Sequence, residues 1–116
     1  MEITVKEKGP VTILHITGRL DLASGAALKE QVKKQLSKQS TAIHLNLAEV
    51  EFINSSGLGA LVSIMKEVRL FKGRLTLSNL ATYVQEIFDI TQLSHIFEIF
   101  SSEEEALASY HSMATT

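Results

Sequence analysis

The sequence predicts an α/β fold: a mixed, mostly parallel sheet wound as a right-handed βα superhelix, with the helices mainly on one face. Three observations carry this. Apolar residues follow period 2 and period 3.6 in turn along the 116 residues, giving the order β-β-α-β-α-β-α-β-α. The first two strands are separated only by Gly9–Pro10, so they pair antiparallel, whereas strands joined through helices run parallel. Finally, two later strands are half polar. Ile43, Leu45 and Leu47 alternate with Ala42, His44 and Asn46, and Leu75 and Leu77 alternate with Arg74, Thr76 and Ser78. A doubly wound sheet is covered on both faces, and its strands read as continuous apolar runs. These strands are expected to be covered on one face only, with strands laid down in sequence order.

Each element has a local signal. ITVKE (3–7) and VTILHIT (11–17) are rich in β-branched residues and read as strands. From Ser24 to about Lys38, Leu28, Val32 and Leu36 recur every four residues between charges, the pattern of an amphipathic helix. AIHLNL (42–47) is the third strand. Leu58, Leu61, Val62, Met65 and Val68 form a second helical stripe. Lys66, Arg69 and Lys72 stand near its negative pole, and Gly73 is the candidate C′ residue. RLTLS (74–78) is a strand, and NLATYVQEIFD (79–89) a short helix with Asn79 as N-cap. HIFEIF (95–100) is the last strand. Ser101 and Ser102 stand three residues before Glu104 and Glu105, a capping-box spelling, and a helix through Ala106, Leu107 and Tyr110 closes the chain. The terminal SMATT is expected to fray.

Composition narrows the function classes. There are no cysteines, so a disulfide framework, a zinc–thiolate site and a cysteine nucleophile are all excluded. The 11 basic and 13 acidic residues are mixed and sum to −2. No basic stripe offers a footprint for nucleic acid or a membrane surface. The start, MEITVKEKGP, lacks the apolar segment of a signal peptide, and no apolar run reaches membrane-spanning length. The expectation is a single soluble, cytoplasmic domain over residues 1–116.

The segment FINSSGLGAL, residues 52–61, concentrates the candidate chemistry. It lies where a strand-end loop becomes a helix N-terminus, a point where main-chain N–H groups and the helix dipole converge. Gly57 and Gly59 give G-x-G, but Val62 occupies the place of the third glycine in a dinucleotide loop. No G-K-[ST] exists for a Walker loop. Ser55 is preceded by Ile53 and Asn54, so the G-x-S-x-G elbow is absent. His15, His44, His95 and His111 have no carboxylate at a useful spacing and read as surface or sheet-face residues. No enzyme activity, cofactor or metal is expected. A serine here can cap the helix, and the glycines allow a turn and close packing. That leaves the second serine, which could instead carry a phosphoryl group at the positive end of the helix.

The stretch LNLAEVEFINSSGLGALVSIMKEV, residues 45–68, resembles the signature of bacterial anti-sigma factor antagonists, which are small STAS-domain proteins. GRLDLASGAAL (18–28) resembles that family's G-x-L-D segment, and QEIFDITQLSHIFEIF (85–100) its F-D-[IL]-[ST]-x-L segment. The resemblance covers almost the whole chain. It implies a STAS-type fold of the superhelical kind predicted above. It also implies a partner switch. The unphosphorylated protein would bind an anti-sigma factor that is also a serine kinase, releasing sigma. Phosphorylation of Ser55 would undo the complex, and a PP2C-type phosphatase would reset it. The implied partner-binding residues are Asp21, Asn54, Ser55, Ser56, Gly57 and Leu58. Two residues depart from the pattern: Asn46 replaces the motif's first aspartate, on the sheet, and Asn54 stands where the family carries aspartate before the acceptor serine. A neutral residue there also suits a STAS adaptor of a transporter or signalling assembly that is never phosphorylated. A third reading, a nucleotide-binding protein using the Gly57–Gly59 loop, is the rival outside the family.

Overall fold

The structure, a computed structural model, describes residues 1–114. The strands are β1 (Glu2–Lys8), β2 (Val11–Leu20), β3 (Ala42–Ile53), β4 (Arg74–Ser78) and β5 (Glu98–Phe100). The helices are α1 (Leu22–Ser37), α2 (Ser55–Leu70), α3 (Thr82–Ile90) and α4 (Glu103–Ala114). The strands form one sheet in sequence order, β1-β2-β3-β4-β5. The β1–β2 pair is antiparallel and every later pair is parallel. The α/β superhelix predicted from the sequence is therefore the observed architecture.

Ile43, Leu45, Leu47, Leu75 and Leu77 point to one face and join the main core. Leu28 and Leu36 of α1, Leu61 and Ile64 of α2, and Val84 and Phe88 of α3 close that face. Phe97 meets Phe88 edge-on, with ring centroids 5.6 Å apart.

The expectation of a second, open face fails under α4. His44, Thr76 and Ser78 on that face are fully buried. They are accommodated because each finds a partner. Tyr110 of α4 donates its hydroxyl to the Ile43 carbonyl at 2.7 Å, and Thr76 Oγ1 donates to Tyr110 at 3.1 Å. With its proton spent, Thr76 can only accept from His44 Nδ1 at 2.7 Å. His44 thus carries its proton on Nδ1, and Ser78 donates to Nε2 at 2.7 Å.

Several local expectations shift. The first helix starts at Leu22 rather than Ser24, because Asp21 caps it. β3 runs on to Ile53, six residues past the predicted end. The left-handed residue after α2 is Lys72, at φ +57°, not Gly73. Gly73 is required for space: a Cβ there would lie 2.4 Å from the Thr41 carbonyl oxygen. Asn79 does not cap α3. It takes a left-handed turn at φ +60°, and the N-cap is Ala81, without a side-chain bond. The predicted strand 95–100 begins only at Glu98, because Leu93–His95 form a 3-10 turn that brings Phe97 into the core. Ser102 accepts from the Glu105 N–H at 3.2 Å, as its capping spelling predicts. Part of the SMATT segment, Thr115 and Thr116, lies outside the described residues, while the helix itself reaches Ala114.

Candidate functional site

Two parallel strands end together. Leu20, the last residue of β2, pairs with Ile53, the last residue of β3. Each strand then turns directly into a helix, so α1 and α2 begin side by side at the C-terminal ends of these two strands. Asp21 and Asn54 are the two N-caps, both extended.

Asp21 accepts from the Ser24 N–H at 3.1 Å, and the Asp21 N–H donates to Ser24 Oγ at 2.8 Å, which closes a capping box. The backbone bond from Ser24, followed by its hydroxyl, holds the Asp21 carboxyl below the ordinary aspartate range. Asn54 Oδ1 accepts from the Gly57 N–H at 2.9 Å, and the Asn54 carbonyl takes the Leu58 N–H at 2.9 Å. The cap of α2 is therefore Asn54, and neither serine is needed for it.

Ser55 and Ser56 occupy the first two helical positions and are exposed. Their N–H groups precede the first intrahelical bond and face outward to solvent or an anion. Neither first turn contains an acidic residue, so among the described residues of the two caps and first turns Asp21 is the one carboxylate.

The glycines have different reasons. Gly57 is buried, and a Cβ there would stand 2.1 Å from the Leu20 carbonyl oxygen, an impossible approach. Gly25 of α1 faces the Ala60 side chain of α2, which would lie 2.6 Å from an added Cβ. Lys29 Nζ bonds Ser63 Oγ at 2.6 Å farther along the same helix pair. The two helix starts are thus locked to each other and to β2. Gly59 has open space around it and plays no part in the lock. Leu58 is half-buried against the core rim.

The candidate residues Asp21, Asn54, Ser55, Ser56, Gly57 and Leu58 all fall at these paired helix starts. Among the described residues no histidine hydrogen-bonds Ser55. The ring nitrogens of His44 are taken by Thr76 and Ser78. His15 does have a carboxylate, Glu103 at 2.9 Å, which spacing along the sequence concealed, since 88 residues separate them. Asn46 Nδ2 bonds the same Glu103 oxygen at 3.0 Å. That cluster includes neither serine. Among the described residues there is no group of three or more metal-ligating side chains, and no helix is long and apolar enough to cross a membrane.

Comparison with known proteins places the chain in a family. The STAS domain family profile matches residues 2–106. The anti-sigma-B factor antagonist of Bacillus subtilis (strain 168) is 31% identical over 104 residues, covering 90% of this chain and 94% of that protein. A solved candidate anti-sigma factor antagonist from Thermotoga maritima superposes with a TM-score of 0.86 at 28% identity, covering 92% of each chain. The fold is also that of SpoIIAA, a Bacillus cell fate determinant solved in its phosphorylated form. There the TM-score is 0.72 at 21% identity, over 94% of this chain and 99% of that one. The chain belongs to the STAS domain family and, within it, to the anti-sigma factor antagonists.

Proposed function

We propose that this protein is a partner switch thrown at Ser55. Unphosphorylated, it binds an anti-sigma factor that is also a serine kinase, and sigma is released. The kinase then phosphorylates Ser55 and the complex dissociates, and a PP2C-type phosphatase restores the binding form. The observation that carries this reading is the exposed Ser55 hydroxyl at the first position of α2, on a helix start locked by Gly57 and Gly25. SpoIIAA, which shares the fold, exists in a phosphorylated form.

Magnitudes place the switch at the interface and not in the fold. A charge at an exposed helix N-terminus is worth about 0.3–1 kcal/mol, against roughly 5–15 kcal/mol for a domain. Like charges brought together across an interface cost several kcal/mol, and each ~1.4 kcal/mol is tenfold in affinity. Phosphorylation therefore weakens the complex by about a hundredfold or more while the backbone stays put. Asn54 tunes this. With a neutral cap, a phosphate on Ser55 meets no carboxylate from its own helix turn.

The test is a pull-down from extract of the native cell with wild type, Ser55→Ala and Ser55→Asp, with phosphate located by mass spectrometry. Wild type and Ser55→Ala should retain a kinase-like partner, and Ser55→Asp should lose it. Equal retention by all three sinks the switch. Absence of phosphate on Ser55 after incubation with that kinase and ATP would favour an adaptor that is never phosphorylated.

A further inference from the structure

We propose that β1 is a self-complementary sheet edge that pairs antiparallel with β1 of a second copy of this chain. β1 lies at the outer edge of the sheet and pairs with β2 alone. Every residue from Thr4 to Lys8 is exposed, and Val5 is an exposed apolar residue. Such an edge presents unpaired N–H and C=O groups, and proteins commonly place Lys or Glu there to block association. Here the charges have opposite signs and a definite order, which permits one register and opposes the others.

The core of the strand reads Glu2-Ile3-Thr4-Val5-Lys6. Reversed, it has the same chemistry with the charges exchanged. A twofold axis perpendicular to the sheet and centred on Thr4 sets Glu2 opposite Lys6, Ile3 opposite Val5, and Thr4 opposite Thr4. Each is a favourable cross-strand pair. The faces agree as well. Ile3 and Val5 pair with Ile16 and Leu14 of β2, which belong to the main core, so the apolar rim continues across the axis. Moving the axis to Val5 sets Ile3 against Glu7. Moving it to Lys6 sets Lys6 against Lys6 and Val5 against Glu7. Moving it to Ile3 leaves Lys6 beyond the paired residues. Only the register centred on Thr4 satisfies both charge and apolar matching. The edge is separate from Ser55 and does not depend on the switch.

A single strand pair is a small interface, so the dimer is weak, with a dissociation constant in the micromolar to millimolar range. Sedimentation equilibrium of the 116-residue chain over a concentration series, at low salt, measures it. Wild type should pass from monomer to dimer. Lys6→Glu places glutamate opposite Glu2 and should weaken the dimer by about tenfold or more. Glu2→Lys combined with Lys6→Glu restores opposite charges across the axis and should recover wild-type affinity. Circular dichroism checks that each variant is folded, as expected for exposed positions. A wild type that stays monomeric up to about 1 mM overturns the proposal. So does a dimer indifferent to Lys6→Glu, or a double variant as weak as the single one.

Discussion

On one face of the sheet, Ile43, Leu45, Leu47, Leu75 and Leu77 meet α1, α2 and α3 through apolar side chains. On the other, His44, Thr76 and Ser78 meet α4 through a directed chain of hydrogen bonds ending at Tyr110 and the Ile43 carbonyl. Both faces are buried, but the second adds a polar network to a smaller apolar cluster of Val11, Ile13 and Tyr110. Apolar burial is roughly proportional to area, has no direction and is indifferent to protons. A buried polar network depends on every member being satisfied, and on each proton being where the geometry needs it. The first face should therefore fail by volume and the second by protonation.

The largest separation of the two comes from Leu45→Ala. It leaves a cavity in the apolar face and should cost about 2–5 kcal/mol, equally at pH 7.5 and pH 5. Urea unfolding at the two pH values checks both the size and the indifference.

Lowering the pH on wild type probes the other face. Burial pushes His44 down to about 4 from an ordinary value of 6.5, and the opposing pull of Glu103 is too weak to prevent it. The unfolded chain thus takes up this proton at higher pH than the folded one. Stability is full above about pH 6.5 and is lost as the pH falls towards 4, by as much as ~3 kcal/mol. Glu103 acts in the same direction. Burial raises it, but its bonds to Asn46 and His15 outweigh that and hold it below the ordinary range, so its contribution also disappears in acid. In His44→Gln, the decline between pH 6.5 and 4 should shrink. An unchanged decline would assign the acid sensitivity elsewhere.

Tyr110→Phe keeps the ring and removes the hydroxyl. Thr76 and the Ile43 carbonyl lose their partner in a buried place, so about 1–3 kcal/mol should go. A loss below the reproducibility of the unfolding curve would show that water enters under α4. The smallest effect belongs to Ser55→Asp, which touches neither face. Its stability should stay within about 1 kcal/mol of wild type, on the favourable side, because a negative charge suits a helix start.

The same contrast explains what the sequence could and could not reveal. Ile43, Leu45 and Leu47 declare the apolar face through local alternation, and with it the strand order and the superhelix. The burial of His44 depends on Tyr110, Thr76 and Ser78, which are distant along the chain, and no local period records such partners. The end of β3 was hidden differently. Its pairing with β2 slips twice, between His15 and Thr17 and between Gly18 and Arg19, and irregular pairing breaks the period-2 pattern. Asn79 looked like an N-cap by residue type, but its left-handed backbone takes it out of that role. At the candidate site, spelling alone brought six residues to the paired helix starts. It misjudged one duty and met another: Asn54 does the capping credited to a serine, whereas Gly57 serves the close packing expected of it, without any left-handed turn.

The lock at Gly57 has a consequence for how this surface can change over generations. The residue that joins α2 to β2 faces inward, whereas Ser55, Ser56 and Gly59 face outward with nothing packed behind Gly59. Packing thus falls on the inward position, and under the proposed function recognition falls on the outward ones interleaved with it. Substitutions at the outward positions can alter what is recognised without a toll on folding. A lineage could drift to a new partner through them one residue at a time, while Gly57 stays fixed beneath.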